Sequence, residues 1–309
     1  MKNKNCPICD SKNVKYHLCD TNDVWLNHYS INVCKECNCY FLNDFPTSKE
    51  IEHLYKNEYF NFSKIIQFIK GLFRRARTKN QFEFLLLYLS NKKTVMEIGC
   101  ADGILINYFK QIGLNVIGLE FSPKYKAKAK KAYNIDLLDI NFMEFDQTVD
   151  VILMSHVIEH ILDINASMAK LYDLLNEDGL LFLEVPNSPL FNHNDQNELR
   201  EYLQTPHIYN FTLDSFEQLA KKHNFEIIKL ERSFYNISNA LNGNSLKDIS
   251  HILMSGNLKR FKFNYIYHIA IYMLKVIFAP SSAFKSINNK NQYISQGDNI
   301  RMLLKKKKR

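Results

Sequence analysis

Val95-Met96-Glu97-Ile98-Gly99-Cys100-Ala101-Asp102-Gly103 reads as a buried strand that runs straight into a tight loop of small residues. The apolar spacing Ile104, Leu105, Tyr108, Phe109 then predicts a helix. Gly99, Ala101 and Gly103 remove side-chain bulk, so backbone can come close to a ligand, and the first turn of the helix turns free N–H groups toward it. The small-x-small-x-small spacing is tighter than the G-x-G-x-x-G of a dinucleotide site. A glycine turn alone is weak information, so the surrounding chain has to decide what it binds.

With 309 residues and an apolar share of 46%, the chain can form one full α/β domain plus an accessory unit. Met1 to Asn5 is polar and leads into a cysteine pair without the apolar core of a secretory signal, so a reducing cytoplasm is expected. Of the net charge of +8, five positive charges come from Lys305-Lys306-Lys307-Lys308-Arg309. The remainder is mildly basic, which does not favour nucleic acid as a partner.

Six of the seven cysteines precede residue 40, and four of them form Cys6-x2-Cys9 and Cys34-x2-Cys37 with 24 residues between the pairs. Each pair suits a knuckle that chelates one metal, and four thiolates match a closed tetrahedral structural Zn2+ site. The competing readings are two disulfides, which a cytosolic context disfavours, or free thiols in a core. Cys19 and Cys39 are read as packing residues, with Cys39 a competitor for a ligand position. Such a zinc has no open position and holds the fold of residues 1–45.

Residues 46–90 read as a helical connector, with a break at Pro46 and helical periodicity through Ile51, Leu54 and Tyr55 and then Ile65 to Phe73. The basic amphipathic segment Lys64 to Lys79 suits either a membrane-surface helix or a helix packed on the main domain, the second being favoured. A separate helix, from Phe82 to Leu89, precedes the first strand. From residue 91 strands and helices alternate, as in a parallel sheet covered on both faces. Leu114 to Glu120 is the second strand, Pro123 to Tyr133 a lysine-rich helix, Ile135 to Leu138 a third strand, Asp150 to Met154 a fourth and Gly179 to Val185 a fifth. Glu120, 17 residues beyond Gly103, stands where its two oxygens can take both hydroxyls of a ribose, which points to a nucleoside ligand.

The motif E-x-G-C-A-D-G at 97–103, the strand ending in Glu120 and D-V-I-L-M-S-H-V-I-E-H-I at 150–161 resemble a class I S-adenosylmethionine-dependent methyltransferase. With the four-cysteine unit and P-H-I-Y-N-F-T at 206–212, the chain is similar to bacterial zinc-ribbon methyltransferases of surface-glycan and secondary-metabolite pathways. The resemblance covers residues 6–40 and about 92–231. It implies a Rossmann-like, doubly wound, mostly parallel seven-stranded sheet over 91–232, after the zinc ribbon. The sixth strand is then Phe225 to Leu230, and the seventh returns antiparallel at 298–304, before a basic tail at 305–309. Residues 233–297 become an insertion with an apolar helix at Tyr265 to Phe278, below the ~20 apolar residues of a membrane span. That insertion suits a lid, a dimer contact or, beside Lys259, Arg260 and Lys262, peripheral membrane contact; the oligomeric state is left open.

By the same resemblance Glu97, Gly99, Ala101 and Gly103 hold the methionine part of S-adenosyl-L-methionine, Glu120 holds the ribose, and Asn141 with Phe142 flanks the adenine. Ala101 replaces the usual middle glycine, a change the loop absorbs if its φ is negative. Asn141 replaces the usual aspartate; its amide can still accept from the adenine amino group.

His156, Glu159 and His160 follow the fourth strand and His207 follows the fifth, on the rim where the family's substrate pocket opens. Three readings stand for them. His156 or His207 is a general base for an oxygen nucleophile; or all four bind a metal, an arrangement similar to the V-I-E-H site of small-RNA 2′-O-methyltransferases, which carry glutamate in place of His156; or Glu159 and His160 fix the loop through hydrogen bonds. The expected function is O-methylation of a sugar or activated precursor in cell-surface glycan biosynthesis, with a small-molecule or glycan acceptor. A small-RNA or quinone-precursor methyltransferase is the alternative, and a non-catalytic protein using the ribbon to hold a partner is the rival of another class.

Overall fold

A computed structural model of the protein describes residues 5–17, 31–47, 64–188, 207–233 and 299–308. Cys19, Ile51 to Tyr55, the Tyr265 to Phe278 helix and residues 234–297 of the expected insertion lie outside the described residues.

Strand β4 (Thr94–Ile98) is second from one edge of the larger sheet. It pairs in parallel with β5 (Asn115–Leu119) on one side and β6 (Val149–Ser155) on the other, and β6 pairs in parallel with β7 (Leu175–Pro186). The C-terminal strand β10 (Asn299–Lys306) lies antiparallel between β7 and β9 (Phe225–Ser233). The order is thus β5-β4-β6-β7-β10-β9.

Alternate residues of these strands feed two cores, as the two-residue period of a strand requires. Met96, Ile98, Ile152, Met154, Leu181 and Leu183 face one core; Val95, Val151, Leu153, Leu180 and Phe182 face the other. Helix α1 (Lys64–Leu86) and α2 (Ile104–Gln111) cover the second face through Leu85, Leu105 and Phe109. The first face is covered by α4 (Ile164–Asp173) and α5 (Leu213–Lys222) through Met168, Leu171, Phe216 and Leu219. Helix α3 (Pro123–Tyr133) lies between α2 and α4 in sequence. This is a doubly wound α/β architecture.

The expected seven-stranded sheet has six strands among the described residues. The segment at Ile135 to Leu138 contributes a single parallel bridge, Leu119 to Leu138, where a third strand was expected. The segment is flanked by surface ion pairs to α3, Lys130 with Asp136 at 2.6 Å and Lys126 with Asp139. Two further boundaries differ. The connector carries one continuous helix, α1, across the expected gap between Lys79 and Phe82. The last strand runs through Lys305 and Lys306, because Lys305 pairs with Asp178 at 3.0 Å and Lys306 donates to the Leu175 carbonyl at 2.6 Å over the Tyr172 ring. Among the described residues no helix is long and apolar enough to cross a membrane.

A second, antiparallel sheet is built from β1 (Val14–His17), β2 (Ile31–Cys34), β3 (Tyr40–Leu42) and β8 (Tyr209–Asn210). Its fourth strand therefore comes from beyond β7. Tyr40 pairs with Asn210 and Phe41 with Tyr209, and the N-terminal unit shares one apolar core with the larger sheet through Ile158, Ile208, Phe211 and Phe216.

Candidate active site

Because β4, β5 and β6 are parallel and adjacent, the loops that leave their carboxyl ends emerge together. The chain order reverses at β4, which is where open α/β sheets bind ligands. The loop after β4 turns through left-handed backbone at Gly99 (φ 70°), Ala101 (φ 47°) and Gly103 (φ 72°). Ala101 thus takes the conformation that glycine enters freely, so the condition of a negative φ is not met; a Cβ there costs about 1–2 kcal/mol. The loop compensates by donating the Ala101 N–H to Glu120 Oε2 at 2.8 Å, while Glu120 Oε1 accepts from the Ser122 N–H at 2.8 Å. Glu120 therefore joins the ends of two strands, and its oxygens keep lone pairs for further donors.

Glu97 is 6% exposed, and its Oε2 accepts no hydrogen bond among the described residues. Burial pushes its carboxyl up to about 8, against the pull of Arg74. A buried, half-satisfied carboxyl next to a glycine loop is suited to an ammonium group. Asn141 is exposed and its Oδ1 accepts from the Met143 N–H at 3.0 Å, so the side chain also shapes its own turn. Phe142 is buried in the core on the α4 and α5 face of the sheet.

The sequence reading assigned no role to Asp102, although it is only 2% exposed. It forms ion pairs with Arg74 of α1 and, at 2.7 Å, with Lys128 of α3, clamping the glycine loop between two helices. The signal was a single charged residue in a loop of small ones, followed by a lysine-rich helix.

The loop after β6 lies against the first. A Cβ built on Gly99 would stand 2.6 Å from Val157 Cγ2, so the two loops touch there. His156 has φ 55° and donates its N–H to the Glu184 carbonyl at 2.8 Å. A 3-10 turn at Ile158–His160 then presents Glu159 and His160. His156 Nδ1 lies 3.5 Å and His160 Nε2 3.8 Å from Glu159 Oε1. His207 arrives on the segment leading into β8, held where the Ile208 N–H donates to the Glu159 carbonyl at 2.8 Å, and its ring meets that of His160 edge to face at 4.8 Å.

Burial pushes the Glu159 carboxyl up to about 7, lowers His156 to about 3 and holds His207 well below the usual histidine range. Both imidazoles are thus neutral at pH 7, fit to ligate or accept, and weak as proton acceptors. Beneath this loop Gln81 donates to Ser155 Oγ at 2.9 Å and to Glu184 Oε1 at 2.6 Å. Glu184 also pairs with Arg301 of β10 at 3.2 Å, so Gln81, Glu184 and Arg301 form a buried network that no local motif signals.

At the far side of β3 and β8, Cys6, Cys9, Cys34 and Cys37 are unbridged, and their sulfurs all lie within 4.8 Å of one another. The two knuckles repeat each other. Cys6 and Cys34 each accept from the residue four on, Asp10 and Asn38, which have φ 60° and 58°, and each donates to the residue five on, Ser11 and Cys39. Cys39 stands outside the four, its Sγ directed at the Tyr40 and Asn210 carbonyls at 3.4 and 3.5 Å.

A glycine loop at the switch point, with a buried acid at the end of β4 and a second acid just past the end of β5, is the arrangement of an α/β protein whose ligand site would lie at the carboxyl ends of its strands. A family profile described as Methyltransferase domain matches residues 70–230, and the chain belongs to that family. It is 33% identical over 116 residues to (S)-tetrahydroprotoberberine N-methyltransferase of Eschscholzia californica, covering 34% of this chain and 33% of that protein. It is 29% identical over 100 residues to the ubiquinone biosynthesis O-methyltransferase of Rhodopseudomonas palustris, covering 30% of this chain and 40% of that one. The chain thus spans well under half the length of these curated relatives. A SAM dependent methyltransferase from Archaeoglobus fulgidus shares the fold, with a TM-score of 0.50 at 14% identity over 79% of this chain and 100% of that one.

Proposed function

We propose that this protein transfers the methyl group of S-adenosyl-L-methionine to a small acceptor seated between the loops after β4 and β6. The observation that carries the reading is the buried Glu97 carboxyl, one oxygen unsatisfied, behind a loop whose left-handed residues bring backbone close. When bound, the cofactor supplies an electrophilic methyl group on a sulfonium. Glu97 would receive the ammonium of its methionine part, the 99–103 loop would lie along that chain, and Glu120 would accept from ribose hydroxyls through its remaining lone pairs. Positioning and exclusion of water then supply most of the rate.

The acceptor expected here is a sugar or nucleotide-activated precursor of a surface glycan, methylated on oxygen; the support is the union of a four-cysteine unit with the methyltransferase motifs in one chain. The similarity to a ubiquinone biosynthesis O-methyltransferase supports a second acceptor class, a quinone-type precursor. Four thiolates fit a structural zinc in the N-terminal unit. Tetrahedral Zn–S bonds of 2.3 Å place sulfurs about 3.8 Å apart, and the Cys6–Cys37 and Cys9–Cys34 sulfurs lie at 3.6 and 3.5 Å.

Calorimetry with S-adenosylhomocysteine on the full chain tests the cofactor reading, which fails if nothing binds. Mass spectrometry of glycans and quinones from cells with and without the protein separates the acceptors: a methylated sugar lost with the protein supports the first, a demethylated quinone precursor that accumulates supports the second.

A further inference from the structure

The side chains of Glu159, His160 and His207 come from two separate segments, yet each offers a ligand atom within 4.8 Å of the other two. The cluster is fixed from three sides. Val157 rests on Gly99, the Ile208 N–H is bonded to the Glu159 carbonyl, and the Leu42 N–H is bonded in turn to the Ile208 carbonyl at 3.0 Å. Within it the Glu159 side chain is 1% exposed, and neither carboxylate oxygen accepts a hydrogen bond among the described residues. A buried carboxylate without donors is unfavourable unless a cation compensates it. His156 and His160 side chains are 21 and 20% exposed, so the outer side of the cluster is open.

We propose that Glu159, His160 and His207 bind a divalent first-row transition-metal ion, and that this ion presents the methyl acceptor through two adjacent acceptor oxygens. Two imidazole nitrogens and a carboxylate suit manganese, iron or cobalt. Three protein donors leave about three positions of an octahedral ion for oxygens of the acceptor. The acceptor class is then a compound with neighbouring oxygens, a vicinal diol or a hydroxy-carboxylate. The cation lowers the pKa of the hydroxyl that it contacts, so that the hydroxyl proton passes to water while the O–CH3 bond forms, the S–CH3 bond breaks and the sulfonium becomes a thioether. The acceptor part of the proposal rests on the methyltransferase reading; the metal site does not.

The test uses the full chain with its cysteines loaded with zinc, titrated with Co2+ and followed by visible absorption and calorimetry. One further equivalent is expected, with d–d bands and no intense sulfur-to-cobalt band in the near ultraviolet. Glu159→Gln, His160→Ala and His207→Ala should each weaken it by roughly 100-fold, while S-adenosylhomocysteine binding shows that each variant is folded. Should Glu159→Gln fail to fold, the two histidine variants decide. Absence of the further equivalent, or its persistence in folded variants, overturns the site. If Co2+ binds as expected and S-adenosylhomocysteine does not bind the parent chain, the metal site stands and the methyltransferase reading falls.

Discussion

The loops after β4 and β6 leave neighbouring strands and touch at Gly99 and Val157, yet they are built on opposite plans. The first offers backbone: three left-handed small residues, with acids set behind and beside it. The second offers side chains, two histidines and a glutamate within five residues, and borrows a third histidine from a distant segment. A loop made of backbone suits one ligand shape and says little about chemistry. One made of side chains can be changed residue by residue, and on the proposed reading acceptor choice falls to the β6 side.

The supports differ as well, and the largest expected effect exploits this. Replacing Cys6 and Cys37 together by serine removes half of the sulfur cluster; a structural zinc on four such thiolates would account for about 10 kcal/mol of folding free energy, as in comparable small units. Amide exchange should then show loss of protection at Leu42, Ile208 and Asn210. S-adenosylhomocysteine should still bind, because the 99–103 loop is clamped by Arg74 and Lys128 and not by the ribbon. Loss of both together would end the distinction between the two loops.

A wedge at their junction should disturb both. Gly99→Val adds a branched Cβ at φ 70°, 2.6 Å from Val157 Cγ2. Left-handed strain and overpacking together amount to about 2–5 kcal/mol. Thermal unfolding and cofactor calorimetry should register it together with weaker binding of the one Co2+ equivalent expected at Glu159, His160 and His207.

On the cofactor side alone, Glu97→Gln should weaken S-adenosylhomocysteine binding by about 1.5–3 kcal/mol, the range for a hydrogen bond to a charged group. The sign of the proton balance is fixed by the raised pKa. With a value of about 8, Glu97 holds its proton at pH 7. An ammonium beside it lowers that pKa, so binding at pH 7 should release up to about one proton. Calorimetry in buffers of different ionisation enthalpy reads the release, and Glu97→Gln should abolish it.

The smallest effect is Ala101→Gly, which relieves the left-handed alanine but loosens the unfolded chain. A net gain of less than about 1 kcal/mol is expected, with cofactor affinity unchanged. A loss would show that the methyl group packs usefully.

The backbone loop was the more legible of the two. Glycine spacing after an apolar strand states a conformation directly, and the alternation of strands and helices that follows fixes a doubly wound sheet. The cysteine knuckles were legible for a similar reason, since each ligand pair and its turn lie within a few residues. What the sequence concealed depends on long-range partners. Ile135 to Leu138 has the composition of a strand but pairs with β5 through a single bridge, while Ile135 and Leu137 pack into the small core beside α3. Ala101 gave no sign of its positive φ, because the compensating acceptor is Glu120, on the next strand. Nor could spacing show that Tyr209 and Asn210 join the ribbon's sheet, which decides where His207 stands. Glu184 and Arg301 are ordinary strand residues by pattern, and their pairing exists only once β10 has been inserted beside β7.

That two-residue strand β8 has a consequence for how such a molecule can be recombined. The ribbon and the segment around His207 are far apart in sequence but form one hydrogen-bonded sheet, with the Thr212 hydroxyl donating to the Cys37 carbonyl at 2.9 Å. A chimera that exchanges the N-terminal unit at its chain boundaries would inherit a mismatched β3–β8 pairing beside Glu159 and His207. The natural cassette is discontinuous: residues 5–47 together with 207–212.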